Sequence, residues 1–264
     1  SPSRGLGDVY KRQRLVLAHV VELPKVSADG PLSVTGGVKA EELLGMTENT
    51  DPIRGERVIA AIDMPSTDDG GQLVPLALGT RNGVVKRWNR ESPTTMDSWS
   101  VIDLKDDDEV LAAAEARDED RLVFVSTDSS LLTFEAKNVR PQGRTAGGMA
   151  GIRLAEGCSV AAFAVVPDGK VTWNYEEGEN GLFSASGAVV LTVAGDSEAL
   201  PGTENGSAKV TPLEMYPTKG RGTGGVRSQR FLKGQDTLIL AFVGTYPVHA
   251  STCLLYTSPS PRDG

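Results

Sequence analysis

Two arginines set in matching glycine frames carry the most distinctive chemistry in this chain. Gly143-Arg144-Thr145-Ala146-Gly147-Gly148 runs on to Arg153-Leu154 and Gly157, and Gly220-Arg221-Gly222-Thr223-Gly224-Gly225 runs on to Arg230-Phe231 and Gly234. Every paired position is offset by 77 residues, without a gap. A fixed offset marks an internal repeat. Glycines recur where the backbone must take positive φ or approach another strand closely. A guanidinium stays charged at any physiological pH and presents a planar fork of donors that fits phosphate or carboxylate oxygens. The repeat therefore predicts cations held at equivalent places on successive units.

Charge is concentrated around these boxes. Lys137, Arg140, Arg144 and Arg153 against Glu156 give residues 137–157 a net +3. Lys209, Lys219, Arg221, Arg227, Arg230 and Lys233 against Glu214 give residues 209–234 a net +5. The whole chain carries −8, so these are basic islands in an acidic protein. A generic nucleic-acid binder is disfavoured by the overall charge, and any DNA contact must be local. Arginines spaced by structural units would meet successive phosphates of a curved duplex, with salt-dependent and sequence-tolerant binding. The alternative is that they satisfy carbonyls and acidic loops within each unit, and for Arg153 and Arg230, flanked by apolar residues, the two readings stand level. Lys86, Arg87 and Arg90 lie on or just after a return strand. They are either a charged guard on a solvated edge or a further DNA contact.

Other motifs are weak. Gly220-x-Gly222-x-x-Gly225 matches a dinucleotide fingerprint in spacing, but no helix pattern follows and the first copy has Thr145 at the middle glycine. No P-loop, HExxH, CxxC or nucleophile elbow occurs, and nothing joins a nucleophile to a base and an orienting acid. His19 has no partner at ligand spacing and reads as a strand histidine. Asn205-Gly206-Ser207 reads as a turn rather than a glycosylated site. Cys158 and Cys253 are too few for a disulfide framework. No secretory signal and no run of eighteen apolar residues is visible.

The elements that must position the boxes are short strands. Thirty glycines and fifteen prolines punctuate the 264 residues. Leu73 to Leu78, then Asn82-Gly83, then Val84 to Trp88 is a hairpin, because Asn-Gly accepts positive φ. Leu122 to Ser126 and Leu131 to Phe134 form a second. Strands are expected over 14–21, 58–62, 110–114, 160–166, 188–193 and 208–211, and from Thr237 on. A helical turn or two is expected over 39–44, a worn box at 32–37, and an acidic loop around 176–179. Residues 58–62, 110–114, 160–166 and 237 onward are read as the openings of four units. Each unit is then strand, loop, hairpin and a box crossing to the next. Ring-like stacking of such units hides their edges, which gives an all-β, propeller-like fold of about four blades with mostly antiparallel short strands.

Both ends read as foreign. Residues 3–13 and 253–263 can be encoded by opposite strands of one oligonucleotide that resembles a transposase-based sequencing adapter. Residues 1–13 and 253–264 are therefore expected to be translated adapter, with the native domain over 14–252 at a net charge of −10.

Val139-Arg140-Pro141-Gln142-Gly143-Arg144-Thr145-Ala146-Gly147-Gly148-Met149-Ala150-Gly151-Ile152-Arg153-Leu154 resembles the blade motif of the A subunits of bacterial type IIA topoisomerases. The second box, with Tyr216-Pro217-Thr218-Lys219 before it and Arg227 and Lys233 within it, is similar to the topoisomerase IV A subunit near its C-terminus. The resemblance implies a partial β-pinwheel that binds and bends the transported DNA duplex, with Arg140, Arg144, Arg153, Lys219, Arg221, Arg227, Arg230, Lys233, Lys86 and Arg87 as candidate contacts. No stretch matches the Gln-Arg-Arg-Gly-Gly-Lys-Gly type of box that gyrase uses for wrapping, which favours topoisomerase IV; the gyrase A wrapping domain is the alternative. The family's catalytic tyrosine and metal-binding acids have no counterpart in this sequence. The resemblance implies that ATP and Mg2+ are handled elsewhere in a cytoplasmic A2B2 enzyme with an ATPase B subunit. A propeller scaffold for protein partners is the alternative from another class.

Overall fold

The computed structural model describes residues 14–16 and 58–246, except 63–64, 97, 106, 179–182 and 201–205. The expected adapter ends, most of the first strand with His19, the worn box and the helical turn lie outside them. Its strands are β1 (Arg14–Val16), β2 (Leu76–Thr80), β3 (Val84–Trp88), β4 (Ser98–Ser100), β5 (Val110–Glu115), β6 (Arg121–Ser126), β7 (Ser130–Glu135) and β8 (Pro141–Gln142). Then follow β9 (Met149–Ala150), β10 (Val160–Val166), β11 (Asn174–Glu177), β12 (Phe183–Ser186), β13 (Ala188–Gly195), β14 (Ser207–Pro212), β15 (Val226–Arg227) and β16 (Thr237–Thr245). Among the described residues the helical structure is confined to three-residue 3-10 turns. The fold is all-β, as expected.

Three sheets stack face to face, and each is built on one hairpin. The first has the order β5-β2-β3-β8, with β9 also on β3; the second is β10-β6-β7-β15; the third is β14-β13-β16. The period-2 alternation of β6 explains the stacking. Leu122 and Phe124 enter a core shared with Ala77, Val85 and Phe163, while Val123 and Val125 enter one shared with Ala188, Val190 and Leu213. The middle sheet is thus apolar on both faces and buried on both. The outer face of the first sheet packs Leu76, Leu78 and Trp88 on Trp99, Val101 and Ile102.

The first two hairpins turn alike, 46 residues apart. Gly83 donates its amide to Thr80 O and Ser129 donates to Ser126 O, and both residues are left-handed, with φ of +86° and +73°. Each is a three-residue loop closed by a left-handed residue, as in a type I turn with a bulge. Each tip is then gripped by the next sheet: Val160 N donates to Arg81 O at 2.8 Å, and Leu238 N donates to Thr127 O at 2.8 Å.

Several expectations are corrected. β5, β10 and β16 do not open new units. β5 pairs antiparallel with β2, β10 with β6 and β16 with β13, so each closes the sheet of the hairpin before it. The described residues therefore hold three hairpin sheets, and residues 237–245 belong to the third rather than to a fourth. Residues 58–62 form no strand, and Asn174–Glu177 pairs with Phe183–Ser186 as a ribbon where a loop was expected.

Candidate nucleic-acid interface

Each box docks on the return strand of the preceding hairpin, not on its own. In the first box Pro141–Gln142 runs parallel to β3, the chain turns at 143–147, and Met149–Ala150 comes back antiparallel to Val84 and Val85. Gly151 N and Ile152 N then both donate to Gly83 O, at 2.8 and 3.1 Å. The second box repeats the path on β7. Val226 and Arg227 pair with Leu131 and Ser130, and Ser228 N donates to Ser129 O at 2.7 Å.

This docking explains the glycine frame. Gly148 and Gly225 are left-handed, with φ of +82° and +73°. A Cβ on Gly148 would lie 2.7 Å from Val85 O, and one on Gly225 only 2.1 Å from Leu131 O. Both positions need glycine twice over, for backbone conformation and for closeness to the strand beneath. Where the first box has Gly151 on Gly83, the second has Ser228 on Ser129, and the two hydroxyls lie 2.9 Å apart in a fully buried pair.

The boxes also touch one another. Gly222 N donates to Gly151 O at 2.7 Å, and Arg153 N donates to Thr223 O at 2.9 Å. The Arg221 guanidinium donates from Nε to Asn138 O at 3.0 Å and from Nη1 to Ala150 O at 2.8 Å. The turn of the second box therefore sits on the exit of the first, and the two make one continuous ridge. Arg140, Arg153, Lys219, Arg227, Arg230 and Lys233 are exposed, while Arg144 and Arg221 are half-exposed. The ion pairs among the described residues are Arg81–Glu109, Arg87–Asp118, Arg90–Glu115 and Lys137–Glu135, and none uses a box cation. Among the described residues, Arg221 alone of those eight candidates spends its side chain on internal hydrogen bonds, and these go to carbonyls.

Lys86 and Arg87 must be removed from the candidate contacts. Both readings of them, solvated edge and DNA contact, fail because they are interior: 0% and 1% exposed. β3 is a central strand, and alternation puts Lys86 on the face of Trp88 and Arg87 on the face of Val85. Lys86 Nζ donates to Val101 O, Arg144 O and Ala146 O at 2.8, 3.1 and 2.7 Å. Burial pushes its pKa down to about 8, against the pull of Asp103. Arg87 donates to Asp118 Oδ1 and to the carbonyls of Ala116, Ala136 and Val139. Arg90 is likewise buried, held by Glu115 and Val74 O, with its guanidinium carbon 5.9 Å from the centre of the Trp88 ring. The flanking aromatic Trp88 was the one available signal that this strand is covered. Lys209, counted in the basic island at 209–234, spends its ammonium internally instead: its Nζ reaches Ser228 O at 2.8 Å and ties the third sheet to the second box.

Among the described residues no cluster of three or more His, Cys, Asp or Glu side chains is arranged to hold a metal ion. No helix among them is long and apolar enough to cross a membrane.

The model of the DNA gyrase C-terminal domain, a β-propeller, matches residues 120–167 and 202–244. Both matched segments contain a complete glycine–arginine box and the strand that follows it, so the family signature falls twice on what this chain repeats. Through these two segments the chain is similar to the C-terminal β-propeller domains of type IIA topoisomerase A subunits. The DNA gyrase A subunit of Staphylococcus epidermidis is 29% identical over 235 residues, covering 88% of this chain and 21% of that protein. The DNA gyrase A subunit of Aeromonas salmonicida is 36% identical over 148 residues, covering 55% of this chain and 13% of that protein. The propeller-like domain thus spans about a fifth or less of the length of these relatives. The crystal structure of the C-terminal domain of DNA topoisomerase IV superposes with a TM-score of 0.50 at 20% identity, covering 69% of this chain and 49% of that one. That likeness carries the fold.

Proposed function

We propose that this propeller domain captures and bends duplex DNA for a type IIA topoisomerase, the duplex lying along the ridge formed by the two boxes. One observation carries the reading. The two boxes are joined by main-chain hydrogen bonds, and the segments that carry them hold seven cations, Arg140, Arg144, Arg153, Lys219, Arg227, Arg230 and Lys233, with no internal ion pair among the described residues. A protein scaffold would be favoured by box arginines locked in ion pairs, and these are not. Guanidiniums on neighbouring sheets would neutralise successive phosphates, and the bend would be the shape that lets both boxes engage at once. In the whole enzyme this domain would present DNA for ATP-dependent strand passage by an A2B2 assembly in the cytoplasm, with ATP and Mg2+ bound outside it.

Between the two enzymes, the lack of a Gln-Arg-Arg-Gly-Gly-Lys-Gly box in this sequence supports topoisomerase IV. The gyrase reading is favoured by its named relatives. Joining this domain to a catalytic core decides it: decatenation without supercoiling fits topoisomerase IV, and ATP-dependent negative supercoiling fits gyrase.

The test of DNA binding is a salt titration on a long linear duplex. The logarithm of affinity should fall linearly with the logarithm of salt, by about 0.9 per phosphate neutralised. The joint change Arg227→Ala with Arg230→Ala should reduce the slope by about 2. Affinity indifferent to salt, or a slope untouched by that change, would remove the proposal.

A further inference from the structure

The two boxes are alike in sequence but are held down differently. Under the second box, the strand position corresponding to Lys86 is Leu132, because Val85 lies under Gly148 and Leu131 under Gly225. Leu132 is fully buried and has no donor to offer. The second box instead uses its own Arg221, which donates to Asn138 O and Ala150 O. In the first box the anchor comes from below. The Lys86 ammonium has three N–H donors and no acceptor. Its three partners are Val101 O, Arg144 O and Ala146 O, so every donor is used. Asp103 N also donates to Ala146 O, at 3.3 Å. The turn is thereby clamped between β3 and the segment at 101–103, at the very residue whose side chain is the phosphate candidate.

We propose that Lys86 is the positioning residue of the first box: its buried ammonium fixes the Arg144 backbone so that the Arg144 guanidinium, which makes no side-chain bond among the described residues, is available to phosphate, whereas Arg221 spends part of its own donor set as an anchor. This rests on the DNA-binding reading of the ridge. The three donors matter because a neutral amine has only two N–H groups, so one carbonyl loses its partner on deprotonation. Asp103 is the charged group acting on Lys86, and it favours the ammonium. Trp88 and Trp99 belong to the apolar cluster on the same face of β3. The clamp is therefore specific to a charged lysine, and an apolar side chain of equal length cannot replace it.

The experiment is a cycle of Lys86→Met, Arg144→Ala and the pair, with Arg227→Ala as the control on the other box, each read by the salt slope of duplex binding. Arg144→Ala alone should lower the slope by about 1 and weaken binding several-fold. Lys86→Met alone should do the same, and adding Arg144→Ala to it should change nothing further. Arg227→Ala should remove its own increment in both backgrounds. Additive losses for Lys86→Met and Arg144→Ala would overturn the proposal while leaving DNA binding in place. If neither Arg144→Ala nor Arg227→Ala moves the slope, it is the DNA reading that fails. Amide hydrogen exchange then decides the clamp without DNA. Lys86→Met should speed exchange at least tenfold at 144–147 and not at 221–224, and unchanged protection at 144–147 would refute it. Should Lys86→Met not fold, Lys86→Gln serves: its amide has only two N–H donors for the three carbonyls, so exchange should quicken at 144–147 and not at 221–224, and unchanged protection there would overturn the clamp.

Discussion

Replacing Gly225 by alanine should be far more damaging than replacing Gly234, although both glycines repeat and both are left-handed. Their φ angles are +73° and +85°, so alanine pays the same conformational strain at each. That strain is about 1–2 kcal/mol for an L-residue. The surroundings differ. A Cβ at Gly234 meets nothing within 4 Å, whereas one at Gly225 would lie 2.1 Å from Leu131 O, 2.6 Å from Leu131 C and 3.0 Å from Leu132 N. These are backbone atoms of a central strand and have no rotamer to yield. Relief requires the second box to lift from β7 by about an ångström, which breaks the short β15 pairing and the contacts of Ser228 with Ser129. Each hydrogen bond left open in a buried site costs about 1–3 kcal/mol. The expected total is about 3–5 kcal/mol for Gly225→Ala against about 1–2 kcal/mol for Gly234→Ala. Equilibrium urea unfolding of the two variants beside the parent chain measures both. Equal losses would refute the claim that the repeated glycine exists for the close approach of box to strand.

Further outcomes follow from the same contacts. Arg87→Met should cost a few kcal/mol, because the carbonyls of Ala116, Ala136 and Val139 lose their donor, yet it should leave the salt slope of DNA binding unchanged; exposed Arg227→Ala should do the reverse, costing under about 0.5 kcal/mol in urea unfolding. Burial pushes the Glu115 carboxyl up, but hydrogen bonds from Ser66 and the Arg90 guanidinium outweigh it and leave the group below its usual 4.5. A depressed carboxylate stabilises above its unfolded pKa and loses that contribution as pH falls through the folded one. Glu115→Gln should therefore flatten the loss of stability below about pH 4.5, as read by urea midpoints. For Lys86 the sign is opposite in origin. Its folded pKa of about 8 lies below the ordinary 10.5, so the unfolded chain binds more protons between them and stability rises with pH across that window. The full rise is about 3 kcal/mol at 1.36 kcal/mol per pH unit, and Lys86→Met should abolish it in urea titrations at pH 7.5 and 10.

What was legible in the residues was whatever the backbone alone dictates. The repeated glycines are visible because φ and close approach exclude every side chain, and Asn82-Gly83 is visible because few residues tolerate a left-handed turn. Two pairs of cations, Arg144 with Arg221 and Arg153 with Arg230, followed from the same repeat, since a residue fixed in a repeated frame is fixed in space. Strand partnership was not legible. Val110–Glu115 has the same local pattern whether it opens the sheet ahead or closes the one behind, and only long-range packing on β2 decides. Nor was the interior position of Lys86 and Arg87. A charged pair in a short strand normally marks an edge, and burying it requires acceptors that come from 101, 116, 136, 139, 144 and 146, residues remote in sequence. The ribbon at Asn174–Glu177 was missed for the opposite reason. Its four residues are all exposed, so no apolar alternation announces a strand.

The interlock of the sheets bears on how such a domain would hold a bent duplex. The second and third hairpins are each closed on one side by the strand that follows the next box, and the first two have their tips and return strands gripped by the next unit. Val160 N on Arg81 O and Leu238 N on Thr127 O fasten neighbouring sheets at one end, while the boxes fasten them along the return strands. A sheet therefore cannot rotate against its neighbour without breaking main-chain hydrogen bonds at both places. The angle between successive boxes is then a property of the fold rather than of the ligand, and the deformation of the duplex falls on the DNA. On that reasoning, loosening one tip should weaken binding to a stiff duplex little and reduce its bending more. Replacing Thr237 by alanine removes the Thr237 Oγ1 donation to Thr127 O across the two sheets, at 3.4 Å, without touching any ridge cation. Circularisation of a short duplex should then slow while the salt slope stays the same. A parallel fall in both would mean that the sheets do not act as a rigid former.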